Sequence, residues 1–175
     1  MDDSKKNSAP FHVGTMLHSG QFPSNQHEVK EMKSKPYQQA VGSLMFAAIV
    51  SQPGIMFARS MVSRFLHNPG LGHLHAVKRI MKYLQQTRDL TIRYKADSTG
   101  LVLYSDADFA GVFDTCKPTT GYVSLLTGRP VTRCSHQQKC VSRSTMDAEY
   151  IAASDAAAEL VWLRRFFNEF GFQLD

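Results

Sequence analysis

The hydrophobic pattern changes its period once, near residue 100, and that switch limits the possible folds more than any other feature of the chain. Ahead of it, apolar residues recur at the three- and four-residue spacing of helices. Behind it they gather in short runs rich in β-branched, aromatic and aliphatic residues. A helical piece followed by strands and a closing helix makes an α+β fold. With 175 residues there is room for one domain, or for one domain with a helical appendage.

Residues 1 to 33 are polar, broken by Pro10, Gly14, Gly20 and Pro23, and predict a flexible or extended lead-in. Helices are expected over residues 34 to 95. Ser34 can cap the first, Pro36 suits its first turn, and Val41, Leu44, Met45 and Ala48 share a face before a stop near Ser51. The second spans about Pro53 to Leu66, with Asn68-Pro69-Gly70 as its stop. The third, about His73 to Gln86, sets Leu74, Val77, Met81 and Leu84 on one seam and His75, Lys78, Arg79 and Lys82 on the opposite side.

Lys95 to Gly100 reads as a turn-like linker, and residues 96 to 175 form the second part. Strands are expected at Leu101 to Ser105, at Thr120 to Leu126, and from Val131 towards Val141 with an irregularity near His136. A hairpin turn over Thr127 to Pro130 joins the last two. A long helix from about Thr145 to Phe170 follows, with Ser144 and Asp147 spaced as a capping box and Gly171 as its stop.

Hydrophobic content of 43% and charged content of 20% are ordinary for a soluble folded protein. The N-terminus has no apolar segment behind its charges, and no run is long enough to span a bilayer, so neither secretion nor a membrane partner is expected. Three cysteines at irregular spacing predict reduced thiols and an intracellular setting, cytoplasmic or nuclear.

Residues 1 to 95 hold 13 Lys and Arg against 5 Asp and Glu, whereas residues 96 to 175 hold 7 against 10. A basic surface is the footprint of a polyanion partner, and an acidic site can hold the cations that polyanion chemistry uses; a solvated helix surface explains the basic half equally well.

On the third helix, Lys78 and Lys82 stand one turn apart and can track a phosphate backbone. The same cations could instead snorkel over the edge of a small core. In LVLYSDADFAG, Leu101 to Gly111, an apolar strand runs into Asp106 and Asp108, and Glu149 falls early in the long helix. If that helix packs on the sheet, Glu149 could approach Asp106, and a hard divalent cation would relieve the repulsion; a plain helix cap is the alternative. Cys134, His136 and Cys140 lack the paired spacing of a closed zinc site, and His67, His73 and His75 face different directions.

YQQAVGSLMF (from Tyr37), VSRFLHNPGLGHLHAVKRIMKYLQQT (from Val62), YSDADFAG (from Tyr104), TTGYVSLL (from Thr119), QKCVSRSTMDAEYIA (from Gln138) and ELVWLRRFF (from Glu159) resemble, in order and spacing, the copia-type retrotransposon Pol polyprotein. The resemblance covers about Tyr37 to Gly171. It implies that the helical part is thumb-like, from the end of a reverse transcriptase. It also implies that the rest is the first part of an RNase H-like fold, a three-stranded antiparallel sheet plus a long helix.

Such a site cuts the RNA strand of an RNA–DNA hybrid with two metal ions, Mg²⁺ or Mn²⁺. Carried over by motif, its first two carboxylates are Asp106 and Glu149, with Asp108 a further candidate ligand in the same DAD motif. The implied partners are an RNA–DNA hybrid or other nucleic acid, met through His75, Lys78, Arg79 and Lys82, and the rest of a Pol polyprotein.

There are departures from the family's pattern. Gln52-Pro53-Gly54 replaces its R-P-D, Arg133 stands where Trp is usual, and Arg143 where an aliphatic residue is usual. The family continues into a D-N-x-S-A strand with a third acid, so a chain ending at Asp175 is expected to be inactive alone. The alternatives are a non-catalytic nucleic-acid- or protein-binding remnant, or a product without function.

Overall fold

A two-turn helix occupies part of the stretch expected as a lead-in. In the computed structural model, which describes residues 7–12, 14–94, 100–109, 114 and 117–172, α1 runs Gln26–Lys33. Asn25 Oδ1 accepts the Glu28 N–H at 2.8 Å while the Glu28 carboxylate accepts the Ser24 N–H at 2.9 Å, a reciprocal cap. Ser34, expected to open the next helix, closes this one by donating its hydroxyl to the Glu31 carbonyl at 2.7 Å. Of the flexible or extended lead-in expected over residues 1 to 33, Gln26–Lys33 is corrected to helix, and Leu17 and Met32 are buried in a core.

The chain divides into two compact units, Met1–Leu90 and Thr91–Asp175. In the first, α2 spans Tyr37–Val50, α3 Met56–Ser63 and α4 Leu71–Gln86. The expected second helix, Pro53 to Leu66, is shortened at both ends: its first turn, Pro53–Ile55, tightens to a 3-10 turn, and after Ser63 the Arg64 and Phe65 N–H groups bond three residues back. Helix α4 begins two residues early because His73 caps it, its Nδ1 accepting the Gly70 N–H at 2.9 Å. Only glycine fits at position 70, since a Cβ there would lie 1.9 Å from the Gln21 carbonyl oxygen.

Ile55, Val62, Val77 and Ile80 are fully buried, each contributing about 1.5–3 kcal/mol. His73 stacks on Phe65 with ring centroids 4.1 Å apart. Tyr37 ties α2 to α3 by donating its hydroxyl to the Val62 carbonyl at 2.8 Å, and burial pushes its phenol well above the usual range.

In the second unit β1 (Leu101–Asp108), β2 (Thr119–Leu126) and β3 (Arg129–Gln137) form an antiparallel sheet in that order. The molecule is therefore α+β, with N-terminal helices, a three-stranded sheet and a long final helix. The turn is just Thr127-Gly128, with φ of 51° and 72°, and Arg129 and Pro130 already belong to β3. Both positive angles are those of the tight hairpin turn whose twist matches its strands.

The strand irregularity lies not near His136 but beside Pro130. Ser124 pairs with Thr132 and Leu125 with Pro130, so Val131 is the extra residue. Pro130, which lacks an N–H, is tolerated there because β3 is an edge strand. Strand β3 stops at Gln137, short of Val141, because the Gln138 N–H turns to the Pro118 carbonyl at 2.8 Å. Residues 95 to 99 of the expected linker, Lys95 to Gly100, and Cys116 lie outside the described residues.

Helix α5 runs Thr145–Glu169. Ser144 caps it, its hydroxyl accepting the Asp147 N–H at 3.1 Å. The Asp147 carboxylate accepts from Arg143 N–H at 3.2 Å rather than from Ser144, so the expected capping box is replaced by a bond one residue further back. Ala148, Ala152 and Ala156, four residues apart, are all fully buried, so small side chains let the helix backbone approach the sheet. Among the described residues no helix is long and apolar enough to cross a membrane.

Candidate functional site

The apolar seam of α4, with Leu74, Val77 and Ile80 in the core, fixes its opposite face outward. His75 and Lys78 are exposed there, and Arg79 and Lys82 half-buried. Together with Asn7, Phe11, His12, Thr15 and Gly72 they line a cleft of about 540 Å³. The second wall comes from the stretch expected as a lead-in, held by Phe11, whose ring meets Phe57 edge-on at 5.8 Å.

The charged side chains in the cleft are the cations Lys78, Arg79 and Lys82, and no Asp or Glu lines it among the described residues. The ion pairs among the described residues, Arg88–Asp89 and His136–Asp155, leave Lys78, Arg79 and Lys82 unneutralised. Arg79 Nε is shielded from solvent and has no acceptor among the described residues. A guanidinium N–H in that state needs an acceptor, a role that water or an anionic oxygen fills.

In the other unit β1 continues three residues beyond its expected end at Ser105, so both acids lie inside the strand. Asp106 pairs with Gly121 and Asp108 with Thr119, and both acids are exposed. Helix α5 covers the Thr120, Tyr122 and Ser124 side of the sheet, where His136 and Asp155 also meet. Strand alternation puts Ser105 and Ala107 on that side, and Asp106 and Asp108 on the other with Val102 and Tyr104.

Glu149, exposed near the start of α5, follows Ala148, whose carbonyl accepts from Gln138 Nε2 at 2.9 Å. The same nitrogen reaches Thr120 Oγ1 at 3.1 Å, which pins the start of α5 to the end of the sheet that holds Asp106. The acids therefore share an end of the unit. Among the described residues no three His, Cys, Asp or Glu side chains gather as an ion-holding group. The donor set present does not by itself fit a divalent cation, and no catalytic step through one follows from it.

Asp155 and Glu159 are engaged elsewhere. Asp155 pairs with His136 at 3.4 Å, and Glu159 lies near Tyr122. Tyr122 is pushed up to about 12, first by burial and then by Cys134, Glu159 and Asp155. Arg133 sits on the sheet face opposite α5, partly exposed, and Arg143 is exposed, so neither charge enters the core.

No family model matches the chain, and no solved structure does. Curated relatives do. It is 40% identical over 171 residues to the "Retrovirus-related Pol polyprotein from transposon TNT 1-94" of Nicotiana tabacum, covering 98% of this chain and 13% of that protein. It is 38% identical over 139 residues to the corresponding polyprotein from transposon RE1 of Arabidopsis thaliana, covering 79% of this chain and 9% of that protein.

The chain belongs to the copia-type retrotransposon Pol family. This Pol segment spans only about an eighth of the tobacco polyprotein. It also aligns, at 38% identity over 133 residues, with the "Secreted RxLR effector protein 161" of Plasmopara viticola, covering 75% of this chain and 94% of that protein.

Sequence reasoning found the basic face of the Pol segment's α4 but missed its opposing wall, Phe11 and His12, which no local period announces. It also missed α1, for which Asn25-x-x-Glu28 was the available signal.

Proposed function

We propose that this Pol segment engages nucleic acid, with an RNA–DNA hybrid as its natural ligand, along the cleft between α4 and the residues around Phe11. The observation that supports this most is the cationic lining, with Lys78, Arg79 and Lys82 unneutralised and Arg79 Nε lacking an acceptor among the described residues. Lys78 and Lys82, one turn apart, follow successive phosphates, and Phe11 offers an apolar ring to a sugar or base. Backbone contacts of this kind carry little base specificity.

In the same reading Asp106, Asp108 and Glu149 contribute to a Mg²⁺- or Mn²⁺-dependent site for cutting the RNA strand, completed by carboxylates from elsewhere in the polyprotein. Alone, the chain binds without cutting. Its setting is intracellular, cytoplasmic or nuclear.

The test is fluorescence anisotropy with a labelled RNA–DNA hybrid at several salt concentrations. The double variant Lys78→Gln/Lys82→Gln should weaken binding at least about tenfold at low salt and lower the slope of log K against log salt by about 1.5 to 2. Unchanged affinity and slope would refute the cleft as the contact surface.

A second reading, a non-catalytic remnant that binds nucleic acid or protein, is favoured by the alignment of almost the whole effector protein with this stretch. Adding the remainder of a Pol polyprotein to the chain separates the two. Restored hybrid cleavage that Glu149→Gln abolishes supports the first, and no cleavage supports the second.

A further inference from the structure

Three side chains without a part in that proposal stand in series between β3 and α5. Cys134 and His136 share the covered face of β3, and Cys134 Sγ lies 3.2 Å from His136 Nδ1. The other ring nitrogen, Nε2, lies 3.4 Å from Asp155 Oδ2 on α5. An imidazole so placed can take the thiol proton at Nδ1 while the carboxylate holds the resulting cation through Nε2–H.

Groups near the thiol also include Tyr122, its cross-strand partner on β2, and Glu159 on α5. Burial raises the Tyr122 phenol, so it stays neutral beside the sulfur. The Glu159 charge opposes a thiolate, and the His136 cation offsets it. Both ring nitrogens are engaged, one by sulfur and one by oxygen, which suits proton transfer rather than metal ligation. Cys134 is itself partly exposed, and the neighbouring His136 and Asp155 side chains are 41% and 44% exposed, so the thiol lies beside solvent that a small reagent shares.

We propose that Cys134 is an activated thiol that exchanges with small-molecule disulfides. His136 accepts the Cys134 proton, and the thiolate attacks one sulfur of the reagent. A Cys134–sulfur bond forms as the reagent's S–S bond breaks. The departing thiolate takes the proton back from His136, so Cys134 is oxidised to a mixed disulfide and one reagent sulfur is reduced to a thiol.

The test treats the full chain with oxidised glutathione at pH 7 and reads adducts peptide by peptide, with Cys140 as internal reference. Cys140 is the more exposed of the two, so accessibility alone makes it the faster. Activation reverses the order. The larger thiolate population is partly offset by the lower nucleophilicity of a more acidic thiol, so Cys134 should react about threefold faster than Cys140.

His136→Asn should remove that advantage and leave Cys140 unchanged. In the wild-type chain the alkylation rate with iodoacetamide should rise at lower pH for Cys134 than for Cys140, a readout that needs no variant. Equal or slower reaction at Cys134, coincident pH profiles, or an unaltered Cys134 rate in a folded His136→Asn protein would each overturn the proposal.

Discussion

Replacing Gln138 should loosen α5 from the sheet, and the structure sets the size of the effect. The side chain is 2% exposed and joins three segments. Nε2 donates to Thr120 Oγ1 at 3.1 Å and to the Ala148 carbonyl at 2.9 Å, and Oε1 accepts the Ser142 hydroxyl at 2.9 Å. In Gln138→Ala the Thr120 and Ser142 hydroxyls, 0% and 7% exposed as residues, lose these bonds beside a new cavity.

The Ala148 carbonyl keeps its intrahelical donor and adds little. Two buried hydroxyls at about 1 kcal/mol each, with the cavity adding about 1 kcal/mol, give a loss of about 3 kcal/mol. Gln138→Met fills most of the space but restores no bond, so it should lose about 2 kcal/mol. Urea unfolding followed by Trp162, the sole tryptophan and a residue of α5, reports the second unit specifically. Both variants within about 0.5 kcal/mol of wild type would refute the bridging role. A neutral Gln138→Met beside a costly Gln138→Ala would assign the effect to packing instead.

Thr127→Asn should stabilise the hairpin by about 1 kcal/mol, because Thr127 is a β-branched residue at φ of 51° and Asn tolerates that angle; an unchanged urea midpoint would count against the turn geometry. For Tyr122, the folded phenol at about 12 lies above the unfolded value near 10. The unfolded chain releases that proton first, so the second unit should lose stability as pH rises through this window. Denaturation at pH 9 and pH 11.5 should show a smaller fall in Tyr122→Phe than in wild type, and equal falls would refute the assignment.

Much of the architecture is legible in short-range pattern. The Ser144 and Asp147 pair locates the start of α5, and the Leu74, Val77 seam of α4 separates its buried side from its basic one. Helix α1 escapes because two turns are too few to establish a period, and Leu17 and Met32 enter the core through long-range packing. For the acids, residue spacing names Asp106, Asp108 and Glu149, but the strand was expected to end before them. Cross-strand bonding to β2 keeps β1 extended to Asp108 and so sets their face.

By itself the sequence determined where helix gives way to sheet, which side of α4 is cationic and where α5 begins, because each depends on residues within a few positions of one another. Tertiary structure alone decided that Phe11 and His12 face Lys78 across a cleft, that His136 meets both Cys134 and Asp155, and that Asp106 lies opposite the helix-covered face. The first two depend on segments distant in the chain. The last depends on strand register, where a slip of one residue would turn the acid to the other side.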